Sequence, residues 1–129
     1  MDKVILDSDI LIFISRNDPD TISFVTRLEE TRSVAISSVS IFELIIGCQN
    51  REDLTRVKKF LRRFDQIHID EAISAAAVDL AERFNLSHGL LMPDSLIAAT
   101  ALEQNLTLVT RNEKHFRFVP DLMMEVPAF

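Results

Sequence analysis

The sequence has one cysteine, two glycines and no tryptophan or tyrosine among its 129 residues. The single cysteine, Cys48, excludes a disulfide framework and a cysteine-based zinc site. Two glycines, Gly47 and Gly89, are too few for the glycine-rich loops of P-loop and dinucleotide-binding proteins. No apolar run approaches the roughly 20 residues that span a bilayer, and the first apolar segment is interrupted by two aspartates, unlike a signal peptide. We therefore expect a cytoplasmic protein that has no membrane partner.

Positive charge is also scarce, because 14 Lys and Arg against 20 Asp and Glu give a formal net charge of −6. Such a chain does not bind nucleic acid through its overall charge, so an RNA-binding role needs a local basic patch or bridging metal ions. The one basic patch is the amphipathic segment from Arg51 to Arg63. It is either a solvated helix face or a contact surface for RNA or an acidic partner, with Arg56, Lys59 and Arg63 as the candidate contacts.

Strands alternate with helices along the chain, a pattern that predicts a three-layer α/β/α sandwich with a mainly parallel central sheet. The length suits a single domain over residues 1–129, and 47% hydrophobic residues are enough for a core. After a first strand that begins at Val4, we predict strands over 33–37, 67–69, 106–110 and 122–126, and helices over 10–15, 19–31, 38–49, 51–64, 71–85 and 93–105. The helix over 38–49 is apolar nearly all round and should be buried. Residues 86–92 are predicted to form a loop.

Three apolar segments each contain isolated acids. Asp7 and Asp9 are the only charged residues between Lys3 and Arg16, Glu43 is the only one between 33 and 50, and Asp94 is the only one between 84 and 102. Buried carboxylates that converge without a cation repel one another and raise one another's pKa. A divalent cation removes this repulsion, and oxygen ligands without cysteine favour Mg²⁺ or Mn²⁺.

Each acid also has a purely structural interpretation. Asp9 could cap a following helix while Asp7 lies in a turn. Glu43 forms the pattern of a capping box with Ser40. Asp94 follows a proline in a first helical turn, where an acid favours the helix dipole. These interpretations are less convincing together than singly, because they would have to hold in the three most apolar segments.

Four motifs in order resemble those of PIN domains. The order, spacing and length are similar to those of VapC-type toxins of prokaryotic toxin–antitoxin pairs, and the resemblance covers essentially the whole chain. The motifs are Val4–Ile12 around Asp7-Ser8-Asp9, Ser37–Gly47 around Glu43, Met92–Ala101 around Asp94, and Leu106–Phe116.

This resemblance implies a metal-dependent endoribonuclease. A cation held by Asp7, Glu43 and Asp94 would polarise the scissile phosphate, and Asn112 would orient a water molecule. It also implies a homodimer and an inhibitory antitoxin protein. The possible accessory residues are Ser8, Asp9, Thr110, Arg111 and His115, and among them Arg111 is also a candidate phosphate or partner contact.

The sequence departs from the family pattern at two places. Asp9 stands where many relatives have asparagine, and neither Asn112 nor His115 is acidic, although acids are common at those positions. The depleted fourth motif makes a second metal site weaker.

Two alternatives remain open on the sequence alone. The Asp7-Ser8-Asp9 pattern also has the Asp-x-Asp form of haloacid-dehalogenase-like phosphatases, in which Asp7 would be a nucleophile and Asp9 a general acid. The usual Gly-Thr after that motif is absent. A non-catalytic PIN-like nucleic-acid-binding module is the other alternative.

Overall fold

A parallel sheet forms the centre of the protein in the computed structural model, which describes residues 2–129. Its strands are β1 (Lys3–Leu6), β2 (Ser33–Ser37), β3 (Asp65–Ile67), β4 (Thr107–Val109) and β5 (Met124–Glu125). They are arranged in the order β3–β2–β1–β4–β5, and every neighbouring pair is parallel. β1 is the central strand, and its residues Val4, Ile5 and Leu6 are completely buried. The predicted parallel sheet is confirmed.

Helices cover both faces of this sheet. They are α1 (Ser8–Ser15), α2 (Pro19–Thr31), α3 (Ser38–Ile46), α4 (Arg51–Leu61), α5 (Glu71–His88) and α6 (Met92–Glu103), with one 3₁₀ turn over Glu113–His115. Because side chains of a strand alternate between faces, Val4 and Leu6 pack with residues of α1, α2 and α4, whereas Ile5 packs with α5 and α6. The two cores define three layers, as the sequence pattern predicts.

Several predicted bounds differ from the structure, most clearly those of the third strand and of the 86–92 loop. The third strand lies at residues 65–67 rather than 67–69, because this edge strand pairs through its main chain and its Asp65 bonds Lys3. The predicted 86–92 loop is shorter, since α5 continues to His88 and ends at Gly89, whose φ of 73° suits glycine at a helix end. Leu86, which is 97% exposed, shows that burial does not set this helix end.

The prediction that α3 is buried is wrong. The helix ends at Ile46, and both Phe42 and Ile46 are largely exposed, at 67% and 76%. Leu44 and Ser40 form its buried side. An apolar composition therefore predicted a helix correctly but could not show that only one side of it is covered. No helix in residues 2–129 combines the length and apolar character that crossing a membrane requires.

Candidate active site

Asp7 follows the central strand and lies at the carboxyl edge of the sheet, where parallel α/β proteins place their ligands. Its side chain is 5% exposed. One carboxylate oxygen accepts a hydrogen bond from the main-chain N–H of Ser8 at 2.8 Å, and the other accepts one from the Thr110 hydroxyl at 2.9 Å. Asp7, and not Asp9, is therefore the residue that caps α1, so the capping interpretation of Asp9 is wrong.

The segment Thr110–Asn112, which follows β4, holds the second aspartate as well. Oδ2 of Asp9 accepts hydrogen bonds from the main-chain N–H of Arg111 at 3.1 Å and from the side-chain amide of Asn112 at 3.0 Å. The main-chain N–H of Asn112 donates to the Thr110 hydroxyl at 2.9 Å. The first and fourth sequence motifs are thus joined directly. Oδ1 of Asp9 is enclosed and has no hydrogen-bond partner among the described residues.

Glu43 reaches the same region from α3 through two buried hydroxyl groups. Ser8 Oγ lies 2.8 Å from Glu43 Oε1 and 2.8 Å from Ser40 Oγ. An ionised carboxylate only accepts hydrogen bonds, so the Ser8 hydroxyl donates to Glu43. The Ser40 hydroxyl therefore donates its hydrogen bond to Ser8. The capping-box interpretation is wrong, because Ser37 caps α3 and Ser40 bonds Ser8 instead. This role of Ser40 was not predicted, because it depends on which side of α3 is buried, and the apolar sequence of that helix does not show this.

Asp94 lies in the first turn of α6, as predicted, and is partly buried. Its Oδ2 is 3.4 Å from the Nδ1 atom of His115, the residue that the fourth motif places near the site. His115 is 59% exposed on its side chain, so this contact lies at the rim of the site.

The carboxylates affect one another's protonation. Burial, reinforced by the charge of Asp9, raises the pKa of Asp7 to about 7. Burial also raises the pKa of Asp9. The pKa of Asp94 is raised to about 6 by burial and then by the charges of Asp7 and, more weakly, Glu43, while His115 opposes the shift. Acids from three segments that are distant in sequence therefore lie near enough to influence one another's protonation.

The oxygen donors suit a hard divalent cation in chemistry and in charge. No ion pair among residues 2–129 involves Asp7, Asp9 or Glu43. The enclosed, unpartnered oxygen of Asp9 is a further open acceptor. As these side chains stand, however, no three His, Cys, Asp or Glu groups within residues 2–129 are close enough to hold one ion. Cation binding would therefore have to gather carboxylates that stand apart, chiefly the exposed Glu43.

None of the candidate contact residues pairs with these acids through its side chain among residues 2–129. Arg56 pairs with Asp53 in the same helix, Arg63 pairs with Glu29, and Lys59 lies on the exposed side of α4. The guanidinium of Arg111 lies near the rings of Phe13 and Phe129.

Comparison with known proteins agrees with these motifs. The PIN domain family matches residues 4–121. The chain is 35% identical over 114 residues to ribonuclease VapC10 of Mycobacterium tuberculosis, covering 88% of this chain and 85% of that protein.

Solved structures show the same fold. The DNA-bound VapBC structure from Salmonella typhimurium has a TM-score of 0.85 and 26% identity, and the match covers 99% of this chain and 100% of that one. A toxin–antitoxin complex from Klebsiella pneumoniae has a TM-score of 0.78 and 28% identity, with 97% and 98% covered. This assignment replaces the phosphatase alternative. The chain therefore belongs to the PIN domain family and, within that family, to the VapC ribonucleases.

Proposed function

We propose that this protein is a divalent-metal-dependent endoribonuclease that acts as the toxin of a toxin–antitoxin pair. The observation that supports the proposal is that carboxylates from distant segments influence one another. Ser8, next to Asp7, bonds Glu43, and the pKa of Asp94 is raised by burial and then by the charges of Asp7 and Glu43. The ribonuclease relatives and the toxin–antitoxin complexes of similar fold support the same activity.

Asp7, Glu43 and Asp94 would hold Mg²⁺ or Mn²⁺. When bound, the cation polarises the scissile phosphate and lowers the pKa of a coordinated water. The chain's own groups set the geometry: Thr110 holds Asp7, and Ser8 holds Glu43. Asn112 donates its amide N–H to Asp9, which leaves its side-chain carbonyl oxygen to accept a hydrogen bond from a water molecule.

His115 is the residue that could hold a proton at the rim of this site. Its ring lies beside Asp94, and either ring nitrogen of an imidazole can carry a proton. A protonated His115 would donate to the leaving oxygen of the cleaved strand, while Asp94 keeps the ring in place.

A groove of about 680 Å³ between α1, α3 and α4 suits the antitoxin partner. Glu43 lies in the groove wall, and so do the apolar side chains of Leu44, Val57 and Phe60 and two of the predicted contact residues, Arg56 and Arg63. A groove lined by both apolar and charged side chains can receive an amphipathic segment. An antitoxin segment seated there would reach the catalytic carboxylates through Glu43. We also propose a homodimer, which light scattering at micromolar concentration would test.

Cleavage of an end-labelled RNA by the purified protein in Mn²⁺ tests this function. We expect internal cuts that chelation abolishes and that Asp94→Asn reduces by more than about 100-fold, since even groups that only orient metal ligands are worth 10–100-fold. Asp79→Asn, an exposed acid of α5, is the matched control and should cleave normally. Cleavage that survives chelation, or that Asp94→Asn leaves unchanged, contradicts the proposal.

A further inference from the structure

The side chain of Arg111 contacts aromatic and polar groups on several sides and is 29% exposed. Its guanidinium carbon lies 3.8 Å from the ring centroid of Phe13 and 5.1 Å from that of Phe129. The guanidinium also donates to the Thr21 hydroxyl at 3.3 Å and pairs with Asp18 at 3.6 Å. We call these five residues the arginine clamp. A side chain engaged on so many sides is poorly placed to bind a phosphate from solution.

The clamp joins parts of the chain that are distant in sequence. Phe13 belongs to α1, whereas Asp18 caps α2 and Thr21 lies in its first turn. The ring of Phe129 lies 6.1 Å from that of Phe24, also in α2. Arg111 thereby attaches the segment after β4 to the two helices that follow the first strand.

The main chain of the same residue belongs to the catalytic site. The N–H of Arg111 donates to Asp9, and its neighbours Thr110 and Asn112 donate to Asp7 and Asp9. These three residues lie in neither a strand nor a helix, because β4 ends at Val109 and the 3₁₀ turn begins at Glu113. The main chain of the segment is bonded at both ends, because the Thr110 N–H donates to the Glu125 carbonyl at 3.2 Å and the Asn112 carbonyl accepts from the His115 N–H at 3.0 Å. Between these bonds, the Arg111 side chain attaches the segment to α1 and α2.

Arginine suits this task better than lysine. The planar guanidinium can stack on two rings while its edge donates a hydrogen bond to Thr21 and pairs with Asp18. Lysine keeps the charge but lacks the flat surface and the fork of donors.

We propose that Arg111 is a positioning residue: its clamp holds Thr110–Asn112 in the place where these residues align Asp7 and Asp9 for cleavage. The proposal deepens the proposed function and rests on it. It also replaces the expectation that Arg111 binds a phosphate, and the two roles differ in measurable ways. A positioning residue affects turnover, whereas a phosphate contact affects substrate binding.

The first test is steady-state cleavage by Arg111→Met, Arg111→Lys and Phe129→Leu, each assayed well below its melting temperature. We expect kcat to fall about 10–100-fold in Arg111→Met, since small misplacements of catalytic groups have effects of that size. KM should stay within about twofold, and Arg111→Lys and Phe129→Leu should lose less. Arg83→Met is the matched control, because Arg83 also lies over a ring, that of Phe84, and pairs with an acid, Asp79, that is not part of the candidate site. Arg83→Met should keep the kcat and KM of the wild type.

Two kinetic results would overturn the proposal. A raised KM with unchanged kcat would show that Arg111 contacts substrate. Unchanged constants in all folded Arg111 variants would show that the clamp only stabilises the fold. Phe129→Leu keeps the arginine and removes one ring, so it still decides the question if Arg111→Met does not fold.

The second test needs no activity and separates failure of the clamp from failure of the proposed function. In the metal-free protein, NMR hydrogen exchange at the amides of Arg111 and Asn112 should be about tenfold or more faster in Arg111→Met than in Arg83→Met, because open segments exchange sooner. If the wild-type protein does not cleave RNA, these rates alone decide whether the clamp holds the segment. Equal rates in the two variants would refute it.

Discussion

The two halves of the acidic site are built differently. Asp7 and Asp9 are held by main-chain N–H groups and by side chains of the Thr110–Asn112 segment, and Asp7 is almost fully enclosed. Glu43 is exposed and, within residues 2–129, is held by the Ser8 hydroxyl alone, while the partly buried Asp94 pairs there only with His115 at the rim. One half is therefore fixed before any ligand arrives. The other half keeps the freedom to move toward a cation or a partner.

The free-energy cost of the negative charges therefore differs between the two halves. In the fixed half, burial and repulsion act on carboxylates that cannot turn away, and the result is a pKa of about 7 for Asp7. In the open half, water screens the charge of Glu43, and the side chain can adjust at little cost. A cation would remove repulsion mainly in the fixed half and would impose order mainly in the open half.

Asp7→Asn should have the largest effect, because it removes the most enclosed charge. We expect Mn²⁺ affinity to fall by more than about 100-fold. The metal-free variant should nevertheless be more stable than wild type at pH 8, by up to a few kcal/mol on the order set by a raised carboxylate pKa. Calorimetry of Mn²⁺ binding and thermal melts measure the two effects.

The pH dependence of that stability difference gives its sign independently. The pKa of Asp7 is about 7 in the folded protein and about 3.8 without burial, so between these values the folded state binds the extra proton. Stability of the metal-free wild type should therefore fall as pH rises from about 4 to about 7, and the advantage of Asp7→Asn should grow over the same window. Asp65→Asn is the control: Lys3 lowers the pKa of this exposed acid, so its removal should bring no such gain. Parallel melting curves for wild type and Asp7→Asn would contradict the assignment.

The sequence predicts some features of this protein well and others poorly. The strands at 3–6 and 33–37 were identified because their buried, β-branched runs are continuous, and the isolated acids were identified because nothing nearby in sequence neutralises them. The edge strand β3 and the exposed side of α3 were not, since periodicity does not reveal what covers a surface. The partners of Arg111 were also missed, because Phe13 and Phe129 come from opposite parts of the chain. The strands and the isolated acids could thus be predicted from local sequence, whereas contacts that depend on the packed fold could not.

Ser8→Ala should have an intermediate effect that is confined to the open half. When the Ser8 hydroxyl is removed, Glu43 loses its one hydrogen-bond donor in the described residues, and Ser40 loses its acceptor. We expect Mn²⁺ affinity or kcat to fall about 10–100-fold, the usual effect of removing a group that orients a metal ligand. Mn²⁺ affinity and kcat should fall less in Ser40→Ala, because Ser8 can still donate to Glu43. Thr26→Ala, which removes an exposed hydroxyl bonded within α2, is the control. Equal effects of Ser8→Ala and Thr26→Ala would show that the hydroxyl chain does not position Glu43.

Asn112→Asp should have the smallest effect, and its sign follows from the fixed half. From the sequence alone, an acid here is expected to restore a second metal site. In the structure, the Asn112 amide donates to Asp9, so an aspartate would lose that bond and face a carboxylate instead. The metal-free variant should therefore melt a few degrees lower, as a cost of about 1 kcal/mol implies for a domain of this size. Added Mn²⁺ should more than restore the loss, because affinity for hard cations rises with ligand charge. A titration of melting temperature and cleavage rate against Mn²⁺, for wild type and variant together, measures both effects. Curves that coincide would place residue 112 outside the metal site, whereas a variant that is destabilised at every Mn²⁺ concentration would show that Asn112 serves only to hold Asp9.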